Sequence, residues 1–147
     1  MVSFLIYHNG EKVNQYSVEE IVAQYETSGR ISEETLRTGD SRRGNRERKN
    51  LIRFFKLFEK DRELARACIS RLYQSECASV RITAAAYCLS LGIHVPKAEA
   101  VLYEISQDES LGIVGFNAEM TLKVWKKQGW LKIYPEQQIE GTTETAL

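Results

Sequence analysis

Apolar residues recur at intervals of three and four along most of this chain, which is the spacing of amphipathic helices. One regular example runs from Leu64 to Tyr73, and a more evenly apolar one covers Leu51 to Phe58. A further group on the last helix comprises Phe116, Met120, Val124 and Trp125. The pattern predicts an all-α fold of about six helices.

Residues with strong end preferences divide these helices. Ser17 and Glu20 have the spacing of a capping box, which predicts the start of the first helix. Gly29 either ends that helix or only weakens it, with Ser32 as a second cap where the helix would resume. Gly92 and Gly129 stand where two later helices should end.

The segment from Val80 to Leu91 combines small and large apolar residues. Ala84 and Ala85 would let another helix backbone approach closely, and the leucines near Gly92 supply area to bury. Its pattern, Val-Arg-x-x-Ala-Ala-x-x-x-Leu-x-Leu-Gly, resembles the second helix of a HEAT-type repeat. We therefore expect residues 17–134 to form a short HEAT/armadillo-like α-α superhelix, with an irregular helical bundle as the alternative. A partial repeat supports the stack, because Ala84 aligns with Ala118 at an interval typical of small helical repeats.

The two ends of the chain differ from its middle. Within residues 1–16, an apolar run of four residues precedes Asn9-Gly10, a pair that favours a tight hairpin turn. This segment is predicted to be either a small β-hairpin or an extended apolar arm. Residues 135–147 are acidic and rich in threonine, so we expect a disordered acidic tail.

Composition narrows the classes of function. The 147 residues carry 20 Lys and Arg against 20 Asp and Glu, so no global field attracts nucleic acid or membrane. Three cysteines cannot all pair within one chain and fit a reducing compartment. No apolar run approaches the length of a membrane span. We expect a soluble cytoplasmic protein that does not bind membranes.

No residue pattern indicates catalysis, a metal or a cofactor. His8 and His94 lack neighbours that would mark a base or a ligand. Cys77 and Cys88 are too far apart for a Cys-x-x-Cys zinc motif, and buried packing suits Cys68 and Cys88 better than nucleophilic chemistry. Phosphate-loop spacing is also missing. We expect no catalytic residue, no metal and no cofactor, and hence a protein that is not an enzyme.

The strongest local candidate for function is a basic segment that begins after Gly39. Its functional interpretation is a docking surface, and its alternative is a solvated helix start. Positive charge at a helix N-terminus is electrostatically unfavourable, which favours the functional interpretation. Trp130 is a candidate interface anchor, because tryptophan and arginine are common in binding hot spots, whereas Trp125 suits core packing. The predicted partner-binding residues are Arg42, Arg43, Arg46, Arg48, Lys49, Arg53 and Trp130.

The chain also resembles an uncharacterised bacterial family of unknown function, roughly from Val18 to Trp130. The resemblance is carried by the helix from Leu64 to Leu72, the Val-Arg-x-x-Ala-Ala motif, and the closing motif Gly-Phe-x-Ala-x-Met-Thr-Leu-x-x-Trp that ends at Trp125. It implies a small HEAT-like helical fold. Some relatives of this kind stand beside bacterial polymorphic-toxin systems, in which small proteins serve as immunity factors.

These observations lead to one main functional hypothesis and two alternatives. We expect a non-enzymatic protein-binding module that occludes one partner, in the manner of an immunity protein neutralising a toxin. The first alternative is a nucleic-acid binder that uses the segment Arg42–Arg53. The second is a structural subunit of a larger assembly. The sequence does not predict the oligomeric state.

Overall fold

The computed structural model describes the backbone of residues 3–8 and 11–139 and the side chains of residues 16–139. The fold is all-α, as predicted, with an N-terminal β-hairpin. The described elements are β1 (Ser3–His8), β2 (Glu11–Ser17), α1 (Val18–Thr38), α2 (Ser41–Lys60), α3 (Arg62–Leu72), α4 (Ala78–Leu91), α5 (Val95–Ser106), a short 3-10 turn (Glu109–Leu111) and α6 (Ile113–Gln128).

The N-terminal segment is a hairpin and not an extended arm. Strands β1 and β2 pair antiparallel, with Ser3 opposite Ser17 and an irregularity after Ile6. The predicted turn at Asn9-Gly10 lies outside the described residues. Tyr16, at the end of β2, meets the ring of Phe54 edge to face at a centroid distance of 5.2 Å. Because an isolated hairpin is marginal in water, this contact with α2 helps to hold it.

Helix α1 begins as predicted, and Gly29 does not end it. The hydroxyl of Ser17 accepts a hydrogen bond from the amide of Glu20 at 3.0 Å, and the Glu20 carboxylate accepts one from the amide of Ser17 at 2.8 Å. The helix then passes through Gly29 without a break and ends only before Gly39, whose φ is 78°. Gly29 is a packing position, since a Cβ there would lie 2.5 Å from Cγ2 of Val80 on α4.

Short-range capping sets most of the other helix ends. Asp61 both closes α2 and caps α3, because its carboxylate accepts from the amide of Leu64 at 3.1 Å. Gly92 and Gly129 end α4 and α6 with φ of 74° and 81°, a region that glycine enters without steric penalty. Pro96 stands in the first turn of α5, where the absence of its N–H removes no helical hydrogen bond.

The hydrophobic core draws on all six helices, and its aromatic centre lies where α1, α2 and α4 meet. Five aromatic side chains pack there, with the ring centroids of contacting pairs between 4.6 and 6.4 Å apart. They are Tyr25, Phe54, Phe55, Phe58 and Tyr87. Ala84 and Ala85 are fully buried on α4, and so is Ala118 on α6, the residue aligned with Ala84 in the partial repeat.

Helices that are close in sequence pack against each other. Helix α1 contacts α2, α3 and α4, while α4 contacts α5 and α6 in turn. Helix α4 therefore joins an N-terminal group of three helices to a C-terminal group. This succession of packed neighbours fits the short helical stack expected from the sequence.

The stretch predicted as a disordered tail begins against the helical domain. Gln137 is buried, and its side-chain amide donates to the hydroxyl of Ser90 on α4 at 2.7 Å. Residues 140–147, the remainder of the predicted tail, lie outside the described residues. Side-chain hydrogen bonds, which composition does not indicate, thus hold the described part of the segment in place.

Candidate partner-binding surface on helix α2

One face of α2 carries a cation at every turn. The spacing of these cations is four, three, four, three and four residues, so they follow one stripe along the helix. All six side chains are exposed. At 1.5 Å per residue, the stripe is about 27 Å long. We call it the basic ridge, and it consists of Arg42, Arg46, Lys49, Arg53, Lys56 and Lys60.

The opposite face of α2 explains why the ridge points outward. Leu51, Phe54, Phe55 and Phe58 are buried on that face. Near the start of the helix, Gly44 lies so close to α1 that a Cβ would be 2.9 Å from Oγ1 of Thr35. Burial of the aromatic face and close approach at the glycine fix the rotation of the helix, which leaves the cations in solvent.

The ridge is not neutralised by acids of its own helix. Helix α2 holds eight of the chain's 20 Lys and Arg residues and two of its 20 Asp and Glu residues, so its net charge is +6. Glu47 accepts a hydrogen bond from the hydroxyl of Ser28 at 2.7 Å, and Glu59 accepts one from the hydroxyl of Tyr134 at 2.6 Å. Within the described part of the chain, no ridge cation forms an ion pair.

Aromatic side chains order the centre of the ridge. The guanidinium carbon of Arg53 lies 4.6 Å from the ring centroid of Phe54, and Nη1 of Arg53 donates to the hydroxyl of Tyr16 at 3.3 Å. The Nζ atom of Lys56 lies 4.8 Å from the ring centroid of Tyr134. Such exposed cation–π contacts are worth about 0.5–1 kcal/mol each. They restrict these side chains without cancelling their charge.

Tyr134 keeps its proton at neutral pH. Burial, together with its hydrogen bond to the Glu59 carboxylate, raises the pKa of Tyr134 to about 12. Its hydroxyl therefore continues to donate to Glu59.

The N-terminal end of α2 is electrostatically costly. Its first turn contains no acid, and Arg42 and Arg43 stand there against the positive end of the helix dipole. The carboxylate of Asp40 offsets part of this cost by accepting from the amide of Arg43 at 3.2 Å. The remaining cost is consistent with a role for these arginines outside the fold.

The structure sorts the residues predicted from the sequence into two groups. Arg42, Arg46, Lys49 and Arg53 belong to the ridge, whereas Arg43 and Arg48 lie on its flanks. Arg43 is half-buried, with Nη1 3.9 Å from a carboxylate oxygen of Glu34 on α1. Arg48 is exposed and donates to the side-chain oxygen of Asn45.

The sequence analysis missed the C-terminal third of the ridge. Lys56 and Lys60 continue the same spacing beyond Arg53. They were overlooked because apolar residues surround Lys56 in the run from Leu51 to Phe58. Extending the interval of three and four residues past Arg53 would have found both lysines.

Trp130 is separate from the ridge. It follows α6 and is half-buried, and its backbone carbonyl accepts from the side-chain amide of Gln128 at 2.8 Å. None of its described hydrogen bonds involves α2. Trp125 is also half-buried, and its indole N–H donates to the Glu99 carboxylate on α5 at 2.8 Å. This contact places Trp125 in helix packing, as the sequence suggested.

The cysteines considered as nucleophiles or metal ligands are not grouped into a site in the described part of the chain. Cys68 and Cys88 are buried, and Cys77 is half-buried with its thiol donating to Glu33 at 3.2 Å. No three His, Cys, Asp or Glu residues come together as a metal site in the described ranges 3–8 and 11–139. Burial raises the pKa of the Cys68 thiol to about 12, which makes it a poor nucleophile near neutral pH.

Comparison with known proteins adds no identification. No protein-family model, curated protein or solved structure matches this chain. The family resemblance described above therefore stays a prediction. None of the helices in the described part of the chain has both the length and the apolar character needed to cross a bilayer.

Proposed function

We propose that this protein is a non-enzymatic binding module that docks the acidic surface of one partner protein on the basic ridge and occludes that surface. The observation that carries the proposal is the row of six exposed cations with no ion-pair partner among the described residues. A toxin-neutralising immunity protein acts by such occlusion, and this is the partner class that the family resemblance implies.

An acidic partner would use the ridge efficiently. Arginine presents a planar fork of donors that matches a carboxylate in two hydrogen bonds, and three of the six ridge residues are arginines. A one-signed charge patch also steers encounters and can raise association rates by 10- to 1,000-fold at low salt. Arg53 and Lys56, which aromatic contacts already restrict, would lose less conformational entropy on binding.

Charge elsewhere on the chain favours a compact partner over an extended polyanion. Because the whole chain has a net charge of zero and α2 carries +6, the other residues together carry −6. A long duplex that extends beyond the ridge would meet this negative charge. An acidic patch on a folded protein can be confined to the ridge.

A nucleic-acid backbone is the second candidate, because the ridge is straight and evenly spaced. Its cations recur about every 5 Å along α2, so a phosphate strand could follow them. Binding of this kind would weaken steeply with salt as condensed counterions are released. The same ridge variant tests both candidates.

The central experiment compares two variants that remove equal charge. Arg46→Gln/Lys49→Gln takes two cations from the ridge, and Arg30→Gln/Arg66→Gln takes two exposed cations from α1 and α3. Each protein is used as bait in lysate of the source organism, with and without nuclease. Affinity for a recovered partner is then measured by calorimetry at two salt concentrations.

The proposal predicts a protein that binds wild type and the α1/α3 variant alike but loses about tenfold in affinity for the ridge variant. This loss corresponds to about 0.7 kcal/mol per charge pair, within the range for exposed pairs. An equal loss of affinity in both variants would show that only the net charge of the protein matters, and it would contradict a docking role for the ridge. Capture that nuclease abolishes, together with tight salt-dependent binding of a 20-base-pair duplex, would select the nucleic-acid candidate.

A further inference from the structure

Helix α6 has apolar residues on two opposite faces. Its inner face buries Val114, Ala118 and Leu122 against the rest of the domain. Its outer face carries Ile113, Phe116, Met120 and Val124, which are 55%, 57%, 39% and 39% exposed. The sequence analysis grouped Phe116, Met120, Val124 and Trp125 on or near one face, but of these four only Trp125 turns toward α5.

The outer residues form one stripe, which we call the α6 stripe and define as Ile113, Phe116, Met120 and Val124. Their intervals of three, four and four residues place all four within about 80° around the helix axis. Scattered exposed apolar residues are ordinary, but a continuous stripe of large ones marks an interaction surface. Because 39–57% of each of these side chains stays exposed in the single chain, the stripe offers apolar area to a partner.

We propose that the α6 stripe is covered by α6 of a second copy of this chain, packed antiparallel about a two-fold axis at Met120. In this arrangement the two Met120 side chains meet at the axis. Phe116 of each copy lies beside Val124 of the other, and Ile113 lies beside the aliphatic part of Lys127. The stripe is thus complementary to itself.

The charges that flank the stripe select this orientation. Glu119 and Lys123 lie on the same side of it, at −1 and +3 residues from Met120. After the two-fold rotation, Glu119 of one copy stands about 3 Å along the axis from both Lys123 and Glu119 of the other. Lys123 lies nearer the stripe, about 60° around the axis from Met120 against about 100° for Glu119, so each Glu119 is closer to the other copy's Lys123 than to its Glu119. A parallel pair would instead place the two Lys127 ammonium groups side by side. The antiparallel pair separates them by about 21 Å along the axis.

The contact is small, so the dimer should be weak. Helix α6 has 16 residues and is about 24 Å long. A single helix pair of this length buries less than the roughly 1,200–2,000 Å² of a standard stable interface. We therefore expect a reversible dimer with a dissociation constant in the micromolar range or above. This inference does not depend on the proposed function of the basic ridge.

Sedimentation velocity over a concentration series tests the association. Wild type should shift from monomer toward dimer as concentration rises, and Met120→Glu should weaken dimerisation at least tenfold by placing two carboxylates at the axis. Gln24→Glu, which adds the same charge at an exposed position of α1, should dimerise like wild type. A wild-type chain that stays monomeric at millimolar concentration overturns the proposal, as does a Met120→Glu variant that dimerises normally.

Two further sets of variants test the register. Glu119→Lys and Lys123→Glu should each weaken the dimer, and the double exchange should restore it. Under mild oxidation, Met120→Cys should give a disulfide-linked dimer. Val124→Cys should not, because the two copies of residue 124 lie about 12 Å apart along the axis and a disulfide needs Cα atoms within about 7 Å.

Wild type, with its three native cysteines, measures the background of this cross-linking. Rapid cross-linking through residue 124 and not through residue 120 would refute the antiparallel register. An equal yield from both positions would refute it as well, since it would indicate random collisions. Circular dichroism checks that each exposed substitution leaves the fold intact.

Discussion

The paired hydroxyls of Tyr25 and Tyr87 give an unequal prediction for two similar substitutions. The two oxygens lie 2.9 Å apart in the core, and the Tyr25 hydroxyl donates to the carbonyl of Leu51 at 3.3 Å. Since each hydroxyl has one proton, Tyr87 must donate to Tyr25. Burial raises the pKa of both phenols, so both protons are present at neutral pH.

The direction of this chain of hydrogen bonds makes the two tyrosines unequal. Tyr87→Phe removes one hydrogen bond and leaves Tyr25 paired with Leu51, which should cost about 1 kcal/mol of unfolding free energy. Tyr25→Phe removes both hydrogen bonds and strands the buried Tyr87 hydroxyl, which should cost about 2–3 kcal/mol. The double variant strands no hydroxyl, so its cost should be about 1–2 kcal/mol, less than the sum of the single costs.

Urea denaturation of the three variants and wild type at pH 7 measures these differences. Tyr103→Phe is the matched control, because its side chain is 58% exposed and its loss should change stability by less than about 0.5 kcal/mol. A larger cost for Tyr87→Phe than for Tyr25→Phe would reverse the inferred donor order. Additive costs in the double variant would show that the two hydroxyls do not interact.

Two further stability predictions come from close packing and from burial of a thiol. Gly29→Ala should destabilise the protein by about 1–2 kcal/mol in thermal melts, because overpacking against Val80 exceeds the gain in helix propensity. In a Val80→Ala background, Gly29→Ala should cost less stability. A Gly29→Ala variant that is more stable than wild type would contradict this prediction. The raised pKa of Cys68, about 12 when folded against about 9 when unfolded, means that the folded state keeps a proton which the unfolded state loses. Stability should therefore fall above about pH 9, by up to about 1.4 kcal/mol per pH unit from this group, and urea melts of Cys68→Ala should show a shallower decline than wild type.

The helix boundaries were readable from the sequence wherever the signal is local. The capping box at Ser17 and the glycines at 92 and 129 act within one helical turn, so their effect does not depend on the rest of the fold. Gly29 could not be interpreted in this way. It is needed for the close contact with Val80 on α4, a helix about 50 residues further along the chain. A pattern of neighbouring residues gives no information about a contact between helices so far apart in sequence.

The candidate site was only partly readable for a related reason. Clustered arginines drew attention to the first half of α2, but Lys56 and Lys60 stand among apolar residues and become part of the ridge only when the rotation of the helix is known. The two acidic residues of α2 did not indicate the ridge in the sequence either. Glu47 and Glu59 look like local counter-charges in the sequence, whereas in the fold their carboxylates accept hydrogen bonds from Ser28 and Tyr134.

The sequence by itself determined the all-α class, the capped helix ends and the clustering of arginines in the first half of α2, because periodicity and capping depend on residues within a few positions of each other. Only the tertiary structure decided which apolar residues are buried. Helix α6 shows this most clearly, because its sequence is apolar on two faces and just one face, that of Val114 and Ala118, meets the domain. Which face is buried depends on which helix packs against α6 and at what angle, and this is determined by the packing of the whole chain.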